Sequence, residues 1–169
     1  MKLALVRHLV SIAILPFTVV AVIPAWVARG YGIDVNVSHA PAAAAIAGAA
    51  LLLTGFAFFA SSLRRFATEG EGTLAPWDPP RKLVVAGPYR FVRNPMISGV
   101  VLMLFGEAAL WRSVPHLGWA ATFLAINLVY IPLVEEPMLR LRFGAAYDEY
   151  RRHVPALIPR VTPWTGAQH

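Results

Sequence analysis

The sequence predicts an all-α membrane protein with about four transmembrane helices and a C-terminal cytoplasmic amphipathic helix. Of its 169 residues, 57% are hydrophobic and only 14% are charged, whereas soluble domains carry roughly a quarter charged residues. The apolar residues are also gathered into long runs, as membrane-crossing helices require. We therefore expect residues 1–169 to form a single membrane-embedded domain, with no separate soluble domain.

The first two spans are predicted over residues 9–27 and 41–63, each long enough to cross a hydrocarbon core of about 30 Å. Pro16 and Pro24 interrupt the first run and predict a kink there. A cleaved signal peptide is the alternative for this run, but its length and the three apolar segments that follow favour an uncleaved span. The second run is dense in small residues, which favours close packing on a neighbouring helix.

A polar loop is predicted over residues 64–95, followed by a short third span over 96–111 and a fourth span over 117–134. The tail, 135–169, begins with alternating charges and a helical stripe of larger side chains at i, i+4, i+8 and i+11: Leu139, Phe143, Tyr147 and Tyr150. This spacing predicts one amphipathic surface helix from Glu135 to Arg152.

The formal net charge of +6 suggests anionic partners. Most of the arginine flanks the predicted spans, so membrane lipid headgroups are the expected partner rather than nucleic acid. The long loop and both ends of the chain hold most of the positive charge, which places them in the cytoplasm, as in a bacterial inner-membrane protein. Cysteine is absent, which excludes disulfides, thiolate metal sites and a cysteine nucleophile, and the scattered histidines make a metal site unexpected.

Two polar motifs flank the predicted hairpin of spans three and four. The first enters span three and reads Gly87-Pro88-Tyr89-Arg90-Phe91-Val92-Arg93-Asn94-Pro95-Met96-Ile97-Ser98-Gly99. The second leaves span four with Glu135-Glu136 and continues to Tyr147, Tyr150 and Val154-Pro155. Because the intervening turn is short, the two helices must be antiparallel neighbours. We therefore expect Arg90, Arg93 and Asn94 to lie close to the two glutamates, in a mixed-charge cluster suited to a zwitterionic ligand.

These paired motifs, over roughly residues 75–160, resemble the isoprenylcysteine carboxyl methyltransferase family and its phospholipid N-methyltransferase relatives. The resemblance implies an S-adenosylmethionine-dependent membrane methyltransferase whose cofactor site lies between spans three and four and the tail. It implies Arg93, Asn94 and Glu135 as catalytic residues. The implied cofactor contacts are Tyr89, Arg90, Arg93, Asn94, Pro95, Gly99, Glu135, Glu136, Tyr147 and Tyr150.

The residue types suit this cofactor. Arginine can clamp a carboxylate, glutamate can accept from an ammonium or a ribose hydroxyl, and Gly99 leaves room for a ligand or a facing helix. The sequence departs from the family where Asn94 replaces its usual histidine and Ile97 its usual aromatic residue. An asparagine cannot titrate, so a positioning role is expected at 94 and a general-base role is in doubt.

For each polar residue there is also a purely structural alternative, without ligand binding. The arginines can anchor the chain at the membrane interface, the glutamates can favour the start of the tail helix, and the tyrosines can pack there. Four basic residues of the long loop and its start are expected to be topology signals rather than site residues: Arg64, Arg65, Arg81 and Lys82. Glu107, inside span three, has three alternatives: a local ion pair with Arg112, a protonated contact between helices, or a role in the acceptor pocket.

The predicted function is methyl transfer to a lipophilic acceptor. The fourth span contains no arginine or lysine, so the acceptor is expected not to be obligatorily anionic: a lipid amine, a quinol-like or terpenoid-like hydroxyl, or a small thiol. Two alternatives remain open. One is a membrane reductase of related helical core that uses a nicotinamide cofactor, and the other is a membrane adaptor without enzymatic activity.

Overall fold

The computed structural model of the chain describes residues 13–36, 41–69 and 82–166. Every regular element within these ranges is helical, which confirms the predicted helical class. A π-helical stretch, Ala13–Val22, leads into the first of six α-helices: α1 (Ile23–Gly30), α2 (Ala42–Glu69), α3 (Pro95–Leu110), α4 (Val114–Tyr130), α5 (Glu136–Phe143) and α6 (Ala145–His153). A 3₁₀ turn, Gly87–Arg90, precedes α3, and a π-helical turn, Ile131–Glu135, joins α4 to α5.

Three parts of the predicted organisation lie outside the described residues. They are the start of the first predicted span (9–12), the middle of the long polar loop (70–81) and the last three residues of the tail (167–169).

Two helical segments are long and apolar enough to cross a membrane, Ala42–Arg65 and Val114–Phe143. Only 11% and 17% of their most apolar windows are buried inside the protein, whereas a core helix of a soluble protein would be largely covered. The apolar helices Pro16–Gly30 and Pro95–Leu110 are shorter than this length. The structure thus gives two membrane-length helices, and the count of four spans stays a prediction.

The tail is not the single surface helix that its stripe predicts. The helix breaks at Gly144, where a φ of 54° ends α5 before α6 begins. Glycine adopts this left-handed region without the steric penalty that a Cβ brings. The stripe is not superficial, since Tyr147 and Tyr150 are each 2% exposed and pack with the partly buried Leu139 and Phe143.

The chain divides into two compact units, one of residues 1–57 and 99–125 and the other of residues 58–98 and 126–169. In the first unit, α2 and α3 approach closely at glycines. A Cβ on Gly55 would lie 2.6 Å from the carbonyl oxygen of Gly99, and one on Gly48 would lie 2.8 Å from that of Gly106. Such small residues let helix backbones pack directly on each other in a membrane.

The second unit is built around the two tail helices and the loop that leads into α3. Its core consists of Tyr147, Tyr150 and Val154, with Leu83, Val85, Leu139, Phe143 and Trp164 packed against it. All residues of the two sequence motifs belong to this unit, apart from Gly99.

Candidate active site

The loop that enters α3 is held by the chain's C-terminal segment, residues 154–164. Four main-chain hydrogen bonds join them. The amides of Arg93 and Asn94 donate to the carbonyls of Pro155 (2.8 Å) and Ala156 (3.0 Å). The amides of Arg160 and Trp164 donate in the opposite direction to the carbonyls of Phe91 (3.0 Å) and Arg90 (2.9 Å). We call residues 87–94 the arginine loop. Its backbone is therefore fixed by residues more than 60 positions away.

Arg93 is the centre of the polar network in this unit. Its Nη1 lies 2.7 Å from Glu136 Oε1 and donates to the Tyr147 hydroxyl at 2.8 Å. Its Nε donates to the carbonyl of Val154 at 2.8 Å. Glu136 Oε2 is also paired with Arg151 Nε at 2.7 Å. The side chains of Arg93 and Glu136 are only 9% and 6% exposed, so this ion pair is buried and well supplied with hydrogen bonds.

Asn94 and Glu135 form the second polar pair. With the Asn94 amide oriented to donate, its side-chain nitrogen lies 3.2 Å from Glu135 Oε1 and 3.2 Å from the carbonyl of Arg93. Glu135 is the last residue of the π-helical turn between α4 and α5. Wide helical turns of this kind are frequent at functional sites, because the extra residue reorients the side chains that follow. The side-chain amide of Asn94 thus donates a hydrogen bond to one carboxylate oxygen of Glu135 and does not engage the other, Oε2.

These groups border a cavity of about 140 Å³. Its polar lining is Lys82, Tyr89, Arg93, Asn94, Glu135, Tyr147 and Tyr150. Its apolar lining is Leu83, Val84, Pro95, Met96, Ile97, Leu139 and Phe143. A mostly apolar concave surface with a few convergent polar groups is the usual character of a small-molecule site.

Two buried polar atoms of this cavity have no hydrogen-bond partner among the described residues, the hydroxyl of Tyr89 and Oε2 of Glu135. Most buried polar atoms in native proteins are paired, because an unpaired one costs about 1–3 kcal/mol. Burial, and then the Glu135 carboxylate, raises the pKa of Tyr89. The phenol therefore stays neutral and keeps its proton available as a hydrogen-bond donor.

Tyr147 and Tyr150 are also held as neutral phenols. Burial is the main cause that raises the pKa of each, and the nearby Arg93 guanidinium opposes it in both. Tyr150 donates to the carbonyl of Tyr89 at 2.6 Å, which fixes the 3₁₀ turn at the start of the arginine loop. The hydroxyl oxygen of Tyr147 accepts a hydrogen bond from Arg93, so the proton of this hydroxyl points away from the guanidinium.

The structure brings most of the predicted site residues to one cavity. Tyr89, Arg93, Asn94, Pro95, Glu135, Tyr147 and Tyr150 all line it, and the expected proximity of the arginine loop to the two glutamates is confirmed. That these residues bind a cofactor or take part in catalysis remains a prediction.

Three of the predicted residues lie elsewhere. Arg90 turns away from the cavity, with its Nε donating to the carbonyl of Trp164 at 2.7 Å, so it does not join the glutamates. Glu136 is engaged by two arginines and does not line the cavity. The carbonyl of Gly99 faces Gly55 of α2, which matches the alternative that a facing helix uses this position. Glu107 lies in α3 and its Oε2 has no partner among the described residues. No ion pair is seen between it and Arg112, which was one of its three alternatives.

Sequence reasoning missed several residues of this site. Arg151 pairs with Glu136, and the Ser98 hydroxyl donates to the carbonyl of Leu157 at 2.7 Å, holding the C-terminal segment to the start of α3. Lys82, Leu83 and Val84 contribute one wall of the cavity. Arg151 had a usable signal, because it follows Tyr147 by four residues on the same helical face.

Comparison with known proteins gives three findings. The chain is 36% identical over 73 residues to a protein named methanethiol S-methyltransferase 2 from Bradyrhizobium diazoefficiens, an alignment that covers 43% of this chain and 27% of that relative. The chain thus matches only about a quarter of the relative's length. No solved structure matches the chain. Residues 43–146 match the family model described as phospholipid methyltransferase, which covers α2 to the start of α6. The chain therefore belongs to the phospholipid methyltransferase family.

Proposed function

We propose that this chain is a membrane methyltransferase that uses S-adenosylmethionine and binds it at the cavity beside the arginine loop. The observation that carries the proposal is the pair of buried, unpartnered atoms in that cavity, the Tyr89 hydroxyl and Glu135 Oε2. The neutral phenol can donate a hydrogen bond and the carboxylate oxygen can accept one, so the pair suits a ligand that carries both acceptors and donors. Membership of a methyltransferase family supports the same ligand.

The residues present fit this cofactor. Glu135 Oε2 can accept a hydrogen bond from its ammonium group or a ribose hydroxyl, and Tyr89 can donate to one of its oxygens. Arg93 supplies the positive charge that its carboxylate requires. At about 140 Å³ the cavity is below the roughly 300 Å³ of sites that enclose a drug-sized ligand, so it accommodates one end of the molecule. The apolar walls from Met96 and Phe143 exclude water from that end.

When bound, S-adenosylmethionine supplies a methyl group on a sulfonium, and its in-line transfer to a nucleophile removes the positive charge. The chain's own contribution is alignment in a dry site. An acceptor that carries a proton must lose it as the new bond to the methyl carbon forms. We assign this step to the Glu135 carboxylate, because among the polar groups of the lining Asn94 cannot titrate and the tyrosines are neutral donors. Asn94 orients this carboxylate through Oε1.

The acceptor that fits best is a small or lipophilic nucleophile without negative charge, and a small thiol is the first choice. Arg93 is engaged by Glu136, Tyr147 and the carbonyl of Val154 and is assigned here to the cofactor's carboxylate. Lys82, the other cation among the described residues of the lining, already has an interaction of its own, so neither is left as a free cation for an acceptor carboxylate. The relative's printed name, a methanethiol methyltransferase, points to the same class. A lipid amine or a quinol-like or terpenoid-like hydroxyl would meet the same requirement.

We also propose an orientation of the chain in the membrane. Four spans would place both ends of the chain and the arginine loop on the cytoplasmic side, which is the bacterial inner-membrane arrangement that the distribution of basic residues favours. S-adenosylmethionine is then available to the cavity from the cytoplasm.

The cofactor is tested by titration calorimetry of the purified protein with S-adenosylhomocysteine and, separately, with NADPH. We expect binding of the first and none of the second. Glu135→Gln should weaken the binding of S-adenosylhomocysteine about tenfold or more, because a neutral amide loses the charge-assisted bond. The matched control is Glu149→Gln, which removes the same charge from the exposed pair with Arg152 and should leave affinity unchanged. Binding of NADPH alone would support the reductase, and binding of neither would support the adaptor.

The acceptor is tested by incubating the protein with labelled S-adenosylmethionine and each of three acceptors: methanethiol, a lipid amine and a prenylcysteine analogue. We expect label in the neutral acceptors and most in the thiol. Faster methylation of the prenylcysteine carboxylate would contradict the proposed acceptor class while leaving the cofactor assignment in place.

A further inference from the structure

The C-terminal segment runs along the start of α3 and then turns back. Its first residues accept hydrogen bonds from the arginine loop, and the carbonyl of Leu157 then accepts from the Ser98 hydroxyl, within α3, at 2.7 Å. The amide of Arg160 donates to the carbonyl of Phe91 at 3.0 Å, which lies ahead of α3 again. Residues 157–161 therefore form the tip of an excursion toward α3, and we call them the tip.

The side chains at the tip are apolar and uncovered. Ile158 is 80% exposed and Val161 is 97% exposed. Arg160 is the one charged residue of the whole C-terminal segment, and its Nη1 donates to the carbonyl of His153 at 2.8 Å. The single charge is thus directed back to the end of α6, and the tip offers apolar contacts to a partner outside the described chain.

The backbone of the C-terminal segment suits a medium that supplies no hydrogen bonds. The carbonyls of four successive residues, 154–157, all accept hydrogen bonds from the arginine loop or from α3. Pro155, Pro159 and Pro163 have no N–H that would need a partner. In lipid an unpaired backbone group is costly because no water replaces the missing partner. This pattern favours lipid over water as the surroundings of the tip.

The bond between the tip and α3 sets its depth. Ser98 is the fourth residue of α3, so it lies about 5 Å along the helix axis from Pro95. In the proposed orientation α3 enters the membrane at this end from the cytoplasm. Apolar faces of interfacial segments lie about 5–10 Å into the boundary between headgroups and acyl chains, which is the level that the tip reaches. Trp164 follows on the aqueous side, and tryptophan is enriched at membrane interfaces.

We propose that the tip inserts into the cytoplasmic interface of the bilayer, with Ile158 in contact with lipid acyl chains and Val161 nearer the headgroups. A second copy of the chain is a poorer partner, because two side chains offer far less than the roughly 800 Å² that each partner buries in a stable protein interface. The membrane would then hold the same segment whose backbone fixes Arg93 and Asn94. This contact depends on the position of α3 in the membrane and not on methyl transfer.

Fluorescence quenching of single labels tests the depth of the tip. The chain has no cysteine, so one introduced cysteine gives a unique labelling site. Ile158→Cys and Val161→Cys are labelled and reconstituted in nanodiscs of phosphatidylcholine and phosphatidylglycerol. Quenching is measured with a lipid that carries a nitroxide near the head of its acyl chain and, separately, with aqueous iodide. Leu128→Cys, at an exposed position of the membrane-length helix Val114–Phe143, gives the lipid reference, and Arg152→Cys on α6 gives the aqueous reference.

We expect the Ile158 label to be quenched by the nitroxide lipid about as strongly as the Leu128 label, and to be shielded from iodide about threefold or more relative to the Arg152 label. The Val161 label should show the same change to a smaller extent. Iodide access equal to that of the Arg152 label at both positions, without quenching by the lipid, would overturn the proposal. Shielding that appears only at a high ratio of protein to lipid would assign the tip to a contact between copies and would overturn it as well.

Discussion

Two buried polar clusters of this chain differ in whether their atoms are paired. In the first turn of α4, His116 uses both ring nitrogens, Nδ1 with Ser113 Oγ at 2.7 Å and Nε2 with the carbonyl of Pro24 at 3.1 Å. In the cavity beside the arginine loop, the Tyr89 hydroxyl and Glu135 Oε2 are buried without partners among the described residues. The first cluster joins helices to each other, whereas the second retains hydrogen-bonding capacity for a ligand. Burial of a polar residue therefore does not indicate function unless some of its capacity is unused.

The largest effect is expected at the centre of the cavity's network. Arg93→Ala leaves Glu136 buried with a single remaining partner and removes three contacts, so it should destabilise the protein by about 3–5 kcal/mol. The measurement is the thermal midpoint in detergent, with methyl transfer followed in parallel. Arg140→Ala is the control, because its pair with Asp148 is 52% and 39% exposed and should contribute at most about 1 kcal/mol. Equal midpoints for the two variants would show that the buried pair is not stabilising.

The next effect is expected where helix backbones touch. Gly55→Ala places a Cβ 2.6 Å from the carbonyl of Gly99, so α2 and α3 must separate, at a cost of about 1–3 kcal/mol. Gly118→Ala is the matched control, because a Cβ there meets nothing within 4 Å and should stabilise α4 by about 0.5–1 kcal/mol. The two thermal midpoints should shift in opposite directions, and a shift of the same sign in both would contradict the observed packing.

High pH should weaken the second unit. Burial raises the pKa of Tyr89 and Tyr150 above the ordinary value near 10, so both contribute full stability below pH 10. Above pH 10 these tyrosines ionise in the unfolded chain but not in the folded one. The free energy of unfolding should therefore fall by about 1 kcal/mol per tyrosine at pH 11. Thermal midpoints measured from pH 8 to 11 test this. Tyr89→Phe should show the shallower decline, and identical profiles would contradict the assignment to this tyrosine.

A smaller effect is expected in the paired cluster. Ser113→Ala removes one partner of His116 Nδ1 and should cost about 1 kcal/mol, without any change in affinity for S-adenosylhomocysteine. The midpoint of thermal unfolding measures the stability, and titration calorimetry measures the affinity for S-adenosylhomocysteine. A loss of affinity in this variant would mean that the two clusters are coupled and that the His116 cluster is not purely structural.

The smallest change in stability is expected at Tyr89, where the loss of function should be clear. Tyr89→Phe removes a buried hydroxyl that has no partner, so stability should be unchanged or slightly raised. The affinity for S-adenosylhomocysteine should nevertheless fall about tenfold, the loss expected for a hydrogen bond to a charged group. Marked destabilisation would indicate that the hydroxyl serves the fold instead.

Much of the site's membership could be predicted because it follows from chain direction. Two helices joined by a short turn must run antiparallel, so residues before α3 meet residues after α4, and Arg93 does contact Glu136. The stripe of Leu139, Phe143, Tyr147 and Tyr150 predicts one surface helix, which is wrong, but the four residues that it groups do share one environment, since all of them line the cavity. Both predictions rest on periodicity and connectivity, which are properties of sequence.

The division of roles among neighbouring residues could not be predicted. Arg90 and Arg93 are equivalent by type, yet one bonds the carbonyl of Trp164 and the other the buried glutamate. The difference depends on the four main-chain bonds to the C-terminal segment, and backbone bonds leave no pattern of side chains to read. The break at Gly144 was missed for a related reason, because a glycine between two helical patterns is compatible with either continuation or interruption.

The dependence of the arginine loop on the C-terminal segment also sets when the cavity can form during synthesis. The carbonyl of Trp164 accepts from Arg90, and the carbonyls of Pro155 and Ala156 accept from the next residues of the loop. These bonds cannot exist until residues 154–164 have left the ribosome. A nascent or truncated chain that stops before residue 154 can therefore complete α2, α3 and α4 without acquiring a formed ligand site, so the cavity depends on a segment that is synthesised after all of its lining residues.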